Sequence, residues 1–438
     1  MNLPSDFVDR IRKQLKSEAD VFLASYEKEA LHGLRINTLK KNFSGLCADY
    51  KDLPFNLTPT AWEPMGFMYP AADTPGKSAL HDAGVYYIQE PSAMLPVTKL
   101  MVQKGDRVLD LCAAPGGKST QIASYLCGEG LLVSNEIHPQ RAKILSENIE
   151  RMGVRNAVVT NEDPHRLKEF FHECFNKVLV DAPCSGEGMF RKNPEAVSEW
   201  SLENVALCAD RQDSILDDAY EMLRWGGRMV YSTCTFSEEE DELCMERFIG
   251  RHPDMILLSM EKIWPHKESG EGHFAAVLTK GPEITSHSFD NKRSFVKFLN
   301  DKELKYYIEF AKENLSDMSD LCENIISFGD NLYKLPTGIT DLKGLKIERP
   351  GLHLGTLKKE RFEPSHAFAL SLCPNQINNY TDYDLNDDEI RSYLSGQILN
   401  VSGRKGWHLI TVNGFSLGWG KLCGNIMKNH YPKGLRKP

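Results

Sequence analysis

Segments typical of buried strands alternate with segments typical of helices between residues 83 and 236, and this alternation is the strongest constraint on the fold. Strands separated by helices form a parallel sheet with helices on both faces. We therefore predict an α/β core whose ligands bind beyond the C-terminal ends of the strands. The strand-like runs are Arg107–Cys112, Leu131–Glu136, Ala157–Thr160, Lys177–Asp181 and Met229–Tyr231.

Helical periodicity accounts for most of the sequence between these runs. Helices are predicted over residues 118–126 and 139–152, and Ile144 and Ile149 of the second one are expected to face the core. A long helix is predicted to reach Trp225, where Gly226-Gly227 opens the last strand. Before the core, residues 5–31 are predicted to be helical and residues 34–39 alternate as a strand does.

The end of the strand–helix alternation near residues 280–293 divides the chain of 438 residues. After Glu389 there is no acidic residue, whereas the same stretch contains eight lysines and arginines with aromatic residues between them, which favours a packed domain that binds phosphates. The predicted regions are an N-terminal region over 1–82, an α/β domain over 83–282, a linker or small helical region over 283–345 and a C-terminal phosphate-binding domain over 346–438.

Composition argues against several other classes of protein. No apolar run approaches the ~18 residues of a membrane span, and no secretion signal precedes the first predicted helix, so a cytoplasmic location is expected. The eleven cysteines include no C-x-x-C pair, which argues against structural zinc and against a disulfide framework. We expect no metal, no membrane partner and a monomeric chain.

The loop after the first core strand, Asp110-Leu-Cys-Ala-Ala-Pro-Gly-Gly-Lys-Ser119, is built from small residues that allow a ligand to approach the backbone. It fails the P-loop pattern, because Cys112 stands where that pattern needs its first glycine, and it contains no G-x-G-x-x-G. S-adenosylmethionine remains as the ligand that fits. Glu136 ends the next strand, where an acid can bind a ribose diol, and Asp163 follows the third strand, where an acid can accept from an adenine amino group.

Two cysteines follow the last two parallel strands. Cys184 lies three residues after Asp181, and Cys234 follows Met229–Tyr231. A zinc deaminase would need P-C-x-x-C, but Glu187 occupies the last position of that pattern. A thiolate that adds to carbon 6 of cytosine activates carbon 5 for methylation, a nearby carboxyl stabilises the charge at N3, and a second base must then remove the carbon-5 proton. Spacing does not decide which thiol attacks.

The segment after the second thiol fits a capping box, because Ser237 and Glu240 have the S-x-x-E spacing that begins a helix. A target base must be unstacked before carbon 5 can be methylated. Tyr86, Phe190 and Trp200 are candidates to stack on such a base, although large aromatic residues, Trp200 above all, are more commonly buried in cores.

Taken together, these motifs resemble the Sun/nucleolar-protein family of RNA cytosine-5 methyltransferases, and most closely its bacterial RsmF/YebU type, which modifies small-subunit ribosomal RNA. The resemblance is specific between residues 30 and 280 and weaker through Gly414–Lys421 and Tyr431–Lys433, which are similar to that type's C-terminal PUA-like module. The specific matches are Leu34–Thr38, Tyr87–Ala93, Asp110–Ser119, Asp181–Met189, Ser232–Ser237 and Gly270–Phe274.

The resemblance implies a Rossmann-like, S-adenosylmethionine-dependent methyltransferase core over 83–282, a small N-terminal α+β region over 1–82 that binds RNA, and a PUA-like RNA-binding module over 346–438. It implies that Cys234 is the nucleophile, that Cys184 releases the product and that Asp181 lies between cofactor and base. The implied cofactor residues are Cys112, Ala113, Ala114, Pro115, Gly116, Gly117, Lys118, Glu136, Asp163 and Asp181. The implied RNA-binding residues are Arg35, Asn37, Lys192, Lys421 and Lys433.

The expected substrate is 16S ribosomal RNA, either naked or in the small subunit. Two other readings stay open at this point. One is a transfer-RNA cytosine-5 methyltransferase. The other is an RNA-binding or ribosome-assembly protein that kept the fold without the chemistry, and the presence of both thiols argues against it.

Overall fold

The computed structural model describes residues 2–282, 296–318, 320–339 and 342–437. Its N-terminal region is a four-stranded antiparallel sheet with helices beside it. The predicted helix over 5–31 is interrupted, because Lys16 has a positive φ of 49° and separates two helices. The sheet order is β2-β3-β1-β4. These elements are α1 (Ser5–Leu15), α2 (Ala19–Ser25), β1 (His32–Ile36), β2 (Thr58–Pro59), β3 (Gly66–Tyr69), α3 (Ala79–Asp82) and β4 (Tyr86–Ile88).

The predicted α/β domain is built on an eight-stranded sheet of order β10-β11-β9-β8-β5-β6-β7-β14, in which β14 is Ile347–Arg349. The five strands from β5 to β9 are mutually parallel, and β11 runs antiparallel between β9 and β10. The predicted α/β class is therefore confirmed. The strands are β5 (Arg107–Asp110), β6 (Leu131–Asn135), β7 (Ala157–Thr160), β8 (Phe175–Asp181), β9 (Leu223–Thr233), β10 (Met255–Ile263) and β11 (His273–Lys280).

Helices cover both faces of this sheet and bury an apolar cluster on each side. Two sequence predictions fail here. Ile144 is 47% exposed although Ile149 is fully buried, and the long helix ends at Met222, so that Leu223 already belongs to β9. The helices are α4 (Leu95–Leu100), α5 (Gly117–Leu126), α6 (Pro139–Arg151), α7 (Pro164–Phe170), α8 (Pro194–Glu199), α9 (Leu202–Met222) and α10 (Glu242–Arg251).

A second four-stranded sheet, of order β12-β13-β15-β16, follows the α/β domain. Strand β14 does not join it. Instead β14 pairs antiparallel with β7 and becomes the eighth strand of the central sheet. The elements are α11 (Lys305–Asn314), β12 (Ile325–Phe328), β13 (Asn331–Lys334), β14 (Ile347–Arg349), β15 (Leu352–Lys358), β16 (Arg361–Pro364) and α12 (His366–Ser371).

The C-terminal module is a five-stranded sheet of order β17-β19-β20-β21-β18. Its apolar side chains form one cluster with those of the N-terminal region, where Leu34 and Ile36 pack in the same core as Ile410 and Leu417. Its elements are β17 (Tyr380–Tyr383), α13 (Asp388–Leu394), β18 (Leu399–Asn400), β19 (Gly406–Val412), β20 (Phe415–Cys423) and β21 (Ile426–Asn429).

The four predicted domain ranges remain predictions, with one structural qualification. A boundary at residue 346 would separate β14 from the sheet that it completes. Residues 283–295, 319, 340 and 341 of the predicted linker lie outside the described residues. In the part of the chain that the structure describes, no helix is both long enough and apolar enough to cross a membrane.

Candidate active site

The candidate site lies at the C-terminal ends of β5, β6, β8 and β9. Strands β5 and β8 are neighbours in the sheet, although two strands separate them in the chain. The strand order therefore reverses between them, and the loops after these strands diverge and leave a crevice. The predicted site residues Asp181, Cys184 and Cys234 all belong to loops or strand ends at this crevice.

The loop after β5 forms one wall of a cavity of about 220 Å³. Gly116 has a φ of 113°, in the left-handed region that favours glycine, and α5 begins at the next residue. A Cβ atom at Gly117 would lie 3.2 Å from the ring of Tyr87, so a side chain there would crowd the cavity wall. Of the predicted cofactor residues, those that line the cavity are Cys112, Ala113, Ala114, Pro115, Gly117, Lys118 and Asp181.

Two buried acceptors in this cavity lack a donor, which is what an ammonium ligand would supply. Asp110 Oδ1 and Gln89 Oε1 accept no hydrogen bond within the described residues, and both residues line the cavity. Burial raises the pKa of Asp110 to about 7, although Ser119 Oγ donates to its other oxygen at 2.6 Å. The α-ammonium group of S-adenosylmethionine would satisfy both acceptors and favour the ionised form of Asp110.

The two other predicted cofactor acids follow the next strands. Glu136 is buried just after β6, where its Oε1 accepts from the backbone N–H of His138 at 2.9 Å and its Oε2 lies 3.5 Å from Arg141. Asp163 is exposed and caps α7, because its Oδ1 accepts from the backbone N–H of His165 at 2.8 Å. Their contacts with ribose and adenine stay predictions.

Asp181 ends β8 and is held from two sides. Lys118 Nζ donates to its Oδ2 at 2.8 Å and Ser232 Oγ donates to its Oδ1 at 2.8 Å. Burial alone would raise the pKa of Asp181, but the positive charge of Lys118, the neighbouring His273 and these hydrogen bonds outweigh burial and lower that pKa. Asp181 is therefore a fixed, ionised carboxylate at the mouth of the cavity.

His273 belongs to the matched motif Gly270–Phe274 and has no role among the predicted site residues. The residue is 2% exposed, and its Nε2 lies 3.8 Å from Asp181 Oδ1. Burial, helped by the charge of Lys118, lowers the pKa of His273 to about 4, so the imidazole is neutral at physiological pH. His273 is the first residue of β11, and β11 pairs with β9 at Thr233. Recognition of that pairing would have placed His273 at the site.

The two predicted thiols touch. Cys184 Sγ and Cys234 Sγ lie 3.4 Å apart, and the backbone N–H of Cys234 points to Cys184 Sγ at the same distance. Both residues are partly exposed. The hydrogen bond to Cys234 is the largest cause that raises the pKa of Cys184, and burial and the charges of Cys234 and Glu240 act in the same direction.

The predicted capping box is wrong. Helix α10 begins at Glu242, and Asp241 is its first flanking residue. The buried carboxylate of Glu240 instead accepts hydrogen bonds from Ser185 and Gln212, which lie on other elements of the site. A tertiary acceptor of this kind leaves no local pattern, so the S-x-x-E spacing was misleading.

Two of the predicted RNA-binding residues are structural. Arg35 and Asn37 are each 1% exposed and cannot reach an RNA. Arg35 donates to the carbonyl of Gly117 and to Thr120 Oγ1 at the start of α5, and Asn37 donates to the carbonyls of Gly84 and Met152. They hold the N-terminal region against the α/β domain. The alternation of β1 indicated a strand but not which face lies against α5.

The RNA contacts of the other three residues stay predictions. Lys192 is half-buried on the segment after Cys184, and burial lowers its pKa. Lys421 is half-buried with its Nζ 5.1 Å from the ring centroid of Trp407, and Lys433 is exposed. The three predicted stacking aromatics are core residues instead, because the exposed fractions of Tyr86, Phe190 and Trp200 are 0%, 0% and 6%.

Comparison with known proteins gives four matching family models that follow one another along the chain. Their descriptions are N-terminal domain of 16S rRNA methyltransferase RsmF (residues 3–91), 16S rRNA methyltransferase RsmB/F (97–279), RsmF rRNA methyltransferase first C-terminal domain (309–372) and methyltransferase RsmF PUA domain (380–437).

The chain is also similar over its length to curated proteins. It is 32% identical to the ribosomal RNA small subunit methyltransferase F of Vibrio vulnificus, covering 99% of this chain and 97% of that one. It is 31% identical to the protein of the same name from Shewanella piezotolerans, with the same two coverages.

Solved structures share the fold of about two thirds of this chain. A methyltransferase homologue from Pyrococcus horikoshii aligns with a TM-score of 0.56 and 26% identity, over 63% of this chain and 94% of that one. The NSun6 protein of the same organism, solved with SFG, aligns with a TM-score of 0.55 and 22% identity, over 63% of this chain and 98% of that one.

Proposed function

Since the chain belongs to the RsmF family of 16S rRNA methyltransferases, we propose that it methylates carbon 5 of cytosine in 16S ribosomal RNA through a covalent adduct with Cys234. The observation that carries this proposal is the contact between Cys184 and Cys234 beside the fixed carboxylate Asp181. Two thiols near a carboxylate that lines the cofactor cavity are the set that cytosine-5 methylation needs.

Cys234 is the nucleophile in this proposal. A thiolate is the reactive form of cysteine, and the raised pKa of Cys184 keeps that residue protonated. Cys184 can then donate its S–H to Cys234 Sγ at 3.4 Å and stabilise a thiolate there. Addition of Cys234 Sγ to carbon 6 forms an S–C bond and moves electron density to carbon 5, which becomes nucleophilic.

Cys184 then serves in release. Once Cys234 is a thioether it bears no negative charge, so two causes that raise the pKa of Cys184, the hydrogen bond and the charge of Cys234, disappear. Cys184 loses its proton more easily in the adduct than in the free enzyme. Its thiolate takes the carbon-5 proton, the electrons of that C–H bond restore the C5–C6 double bond, and the C6–S bond breaks to return Cys234 as a thiolate.

Asp181 orients the base. Its lowered pKa makes it an acceptor at neutral pH, so it suits the exocyclic amino group of cytosine, or N3 once N3 holds a proton. The hydrogen bonds from Lys118 and Ser232 fix the carboxylate before the base arrives, which is the preorganisation that electrostatic catalysis needs.

S-adenosylmethionine, the cofactor of the family, supplies the methyl group. The residues that would hold it are the loop Cys112–Lys118, with Asp110 and Gln89 for its ammonium group and Glu136 for its ribose. Lys118 belongs both to this loop and to the Asp181 pair, so cofactor and base would meet at one side chain.

The direct test is methyl transfer by the full chain. Purified protein and S-adenosylmethionine labelled on the methyl group are incubated separately with small ribosomal subunits, naked 16S rRNA and transfer RNA, and the RNA is digested to nucleosides. We expect labelled 5-methylcytidine from a 16S rRNA arm. Label in another nucleoside would overturn the cytosine-5 assignment, label only in transfer RNA would overturn the substrate, and no label in any arm would favour a binding role.

A further inference from the structure

We propose that Glu240 is a positioning residue whose buried carboxylate holds the segment Pro183–Ser185 against Cys234 and reserves Cys184 for product release. This inference deepens the proposed function and rests on it. Glu240 is fully buried in the turn between β9 and α10, six residues after Cys234. It touches neither base nor cofactor in this proposal and acts through Cys184.

The carboxylate holds the chain on both sides of Cys184. Its Oε2 accepts from the backbone N–H of Ser185 at 2.9 Å, and its Oε1 accepts from Ser185 Oγ. On the other side, Gln212 Nε2 donates to Glu240 Oε2 and to the carbonyl of Pro183, each at 3.0 Å. The residues before and after Cys184 are therefore tied to one carboxylate, directly or through one amide.

The same network reaches Cys234. Ser185 Oγ also lies 2.8 Å from the hydroxyl of Thr235, the residue after Cys234, and the Cys234 N–H points to Cys184 Sγ. Tyr231 OH donates to the carbonyl of Glu240 at 2.6 Å and fixes the turn that carries the carboxylate. Glu240 is thus linked through Ser185 to Thr235, next to Cys234, and through Gln212 to Pro183, next to Cys184. This network of hydrogen bonds holds the two sulfur atoms at 3.4 Å.

The charge of Glu240 adds to this geometry. Among the described residues it forms no ion pair, so hydrogen bonds alone compensate its charge, and burial raises its own pKa. Among the described residues, the ionisable groups that act on Cys184 include Cys234, Glu240 and Tyr231, while Glu187 and Cys208 lie near Glu240. A carboxylate in this place opposes ionisation of Cys184, so the two thiols do not exchange roles.

Two variants separate geometry from charge. Glu240→Gln keeps the volume and can keep the hydrogen bonds, because Ser185 Oγ can turn to accept from an amide N–H while its own hydrogen points to Thr235. Glu240→Ala removes the carboxylate together with the hydrogen bonds that it accepts from Ser185 and Gln212. The matched control is Glu238→Gln, which removes the same charge from an exposed residue of the same turn.

Alkylation tests the charge without using RNA. In a Cys234→Ala background, the rate at which iodoacetamide modifies Cys184 is followed against pH by peptide mass spectrometry. Removal of a nearby negative charge favours the thiolate, so we expect Glu240→Gln to lower the midpoint of Cys184 alkylation by about half a pH unit or more, whereas Glu238→Gln leaves it unchanged. Equal midpoints in the two variants would overturn the role of Glu240.

Release of RNA tests the geometry. Folded Glu240→Ala is expected to accumulate a protein–RNA adduct that survives denaturation, as is also expected of Cys184→Ala, because a displaced Cys184 cannot remove the carbon-5 proton. A merely structural role would lower the folded fraction without trapping RNA. Folded Glu240→Ala that releases RNA at the wild-type rate would contradict the inference, and if this variant does not fold, the alkylation of Glu240→Gln decides.

The two proposals fail in distinguishable ways. If Cys184→Ala traps no adduct, Cys184 is not the release base of the proposed function, and the alkylation assay still reports on the charge of Glu240. If Cys184→Ala traps an adduct and folded Glu240→Ala does not, the covalent route stands and the role of Glu240 falls.

Discussion

The sulfur atoms of Cys184 and Cys234 lie 3.4 Å apart although fifty positions of sequence separate the two residues. The cause is the register of two neighbouring parallel strands. Asp181 at the end of β8 pairs with Ser232 near the end of β9, and the cysteines follow three and two residues later. One register therefore places the carboxylate and both thiols at the same point of the sheet edge.

This contact leads to opposite predictions for the two cysteines. Cys234→Ala should lower methylation by at least ~10³-fold, as expected when a covalent nucleophile is lost. Cys184→Ala should still form the S–C bond but fail to release it, and a slower-migrating protein–RNA band should persist in a denaturing gel. The double variant is the control and should give no band. An adduct in Cys234→Ala would assign the nucleophile to Cys184 instead.

The pair Lys118–Asp181 predicts a change in pH dependence. Lys118 lowers the pKa of Asp181 against the effect of burial, so Lys118→Met should raise that pKa. Because the ionised carboxylate is the active form, the acidic limb of the kcat/KM profile should move to higher pH in the variant. Asp181→Asn, which cannot titrate, should lose that limb along with most of the activity. An acidic limb at the wild-type position in Lys118→Met would show that Asp181 does not set it.

Local sequence patterns predicted the strands of the core and the placement of its acids and thiols at strand ends. They succeeded because a parallel sheet collects its strand ends at one edge, which made Glu136, Asp181 and Cys234 candidates without tertiary information. The same patterns do not specify partners that are distant in the chain. Arg35 has the charge of an RNA contact, yet β1 turns it toward α5, where it donates to Gly117 and Thr120.

Distant partners also explain why the sequence predicted neither the contacts of Glu240 nor the position of β14. Glu240 matched a helix cap locally, but its carboxylate serves Ser185 and Gln212, which come from earlier elements. Strand β14 is only three residues long, which is too short to show the alternation of apolar and polar residues that identifies a strand. It nevertheless completes the central sheet beside β7. Both arrangements depend on which surfaces meet after folding.

RNA affinity should depend on two lysines of the C-terminal module, Lys421 and Lys433. Deletion of residues 346–438 is a poor test, because it removes β14 from the catalytic sheet and uncovers the core shared with the N-terminal region. In Lys421→Ala/Lys433→Ala the slope of log affinity against log salt should fall by about 1.4 to 1.8, since each phosphate contact contributes about 0.7 to 0.9. The control is Lys359→Ala, an exposed lysine in the turn between β15 and β16, outside the five-stranded sheet of that module. Equal slopes in both variants would place the RNA elsewhere.

Acid stability should depend on His366, which packs against Tyr431 where α12 meets the C-terminal module. Burial lowers the pKa of His366 to about 4; the charge of Glu150 partly offsets this effect, and the charge of Lys40 adds to it to a smaller extent. The unfolded imidazole, with a pKa of about 6.5, binds a proton as the pH falls, whereas the folded one does not until about 4. The free energy of unfolding should therefore decrease between these values, by at most about 1.4 kcal/mol per pH unit from this group.

In His366→Asn the difference in urea unfolding free energy between about pH 7 and about pH 5 should shrink, whereas exposed His138→Asn should keep the wild-type difference. The same difference in all three proteins would mean that His366 protonates as easily in the folded chain as in the unfolded one.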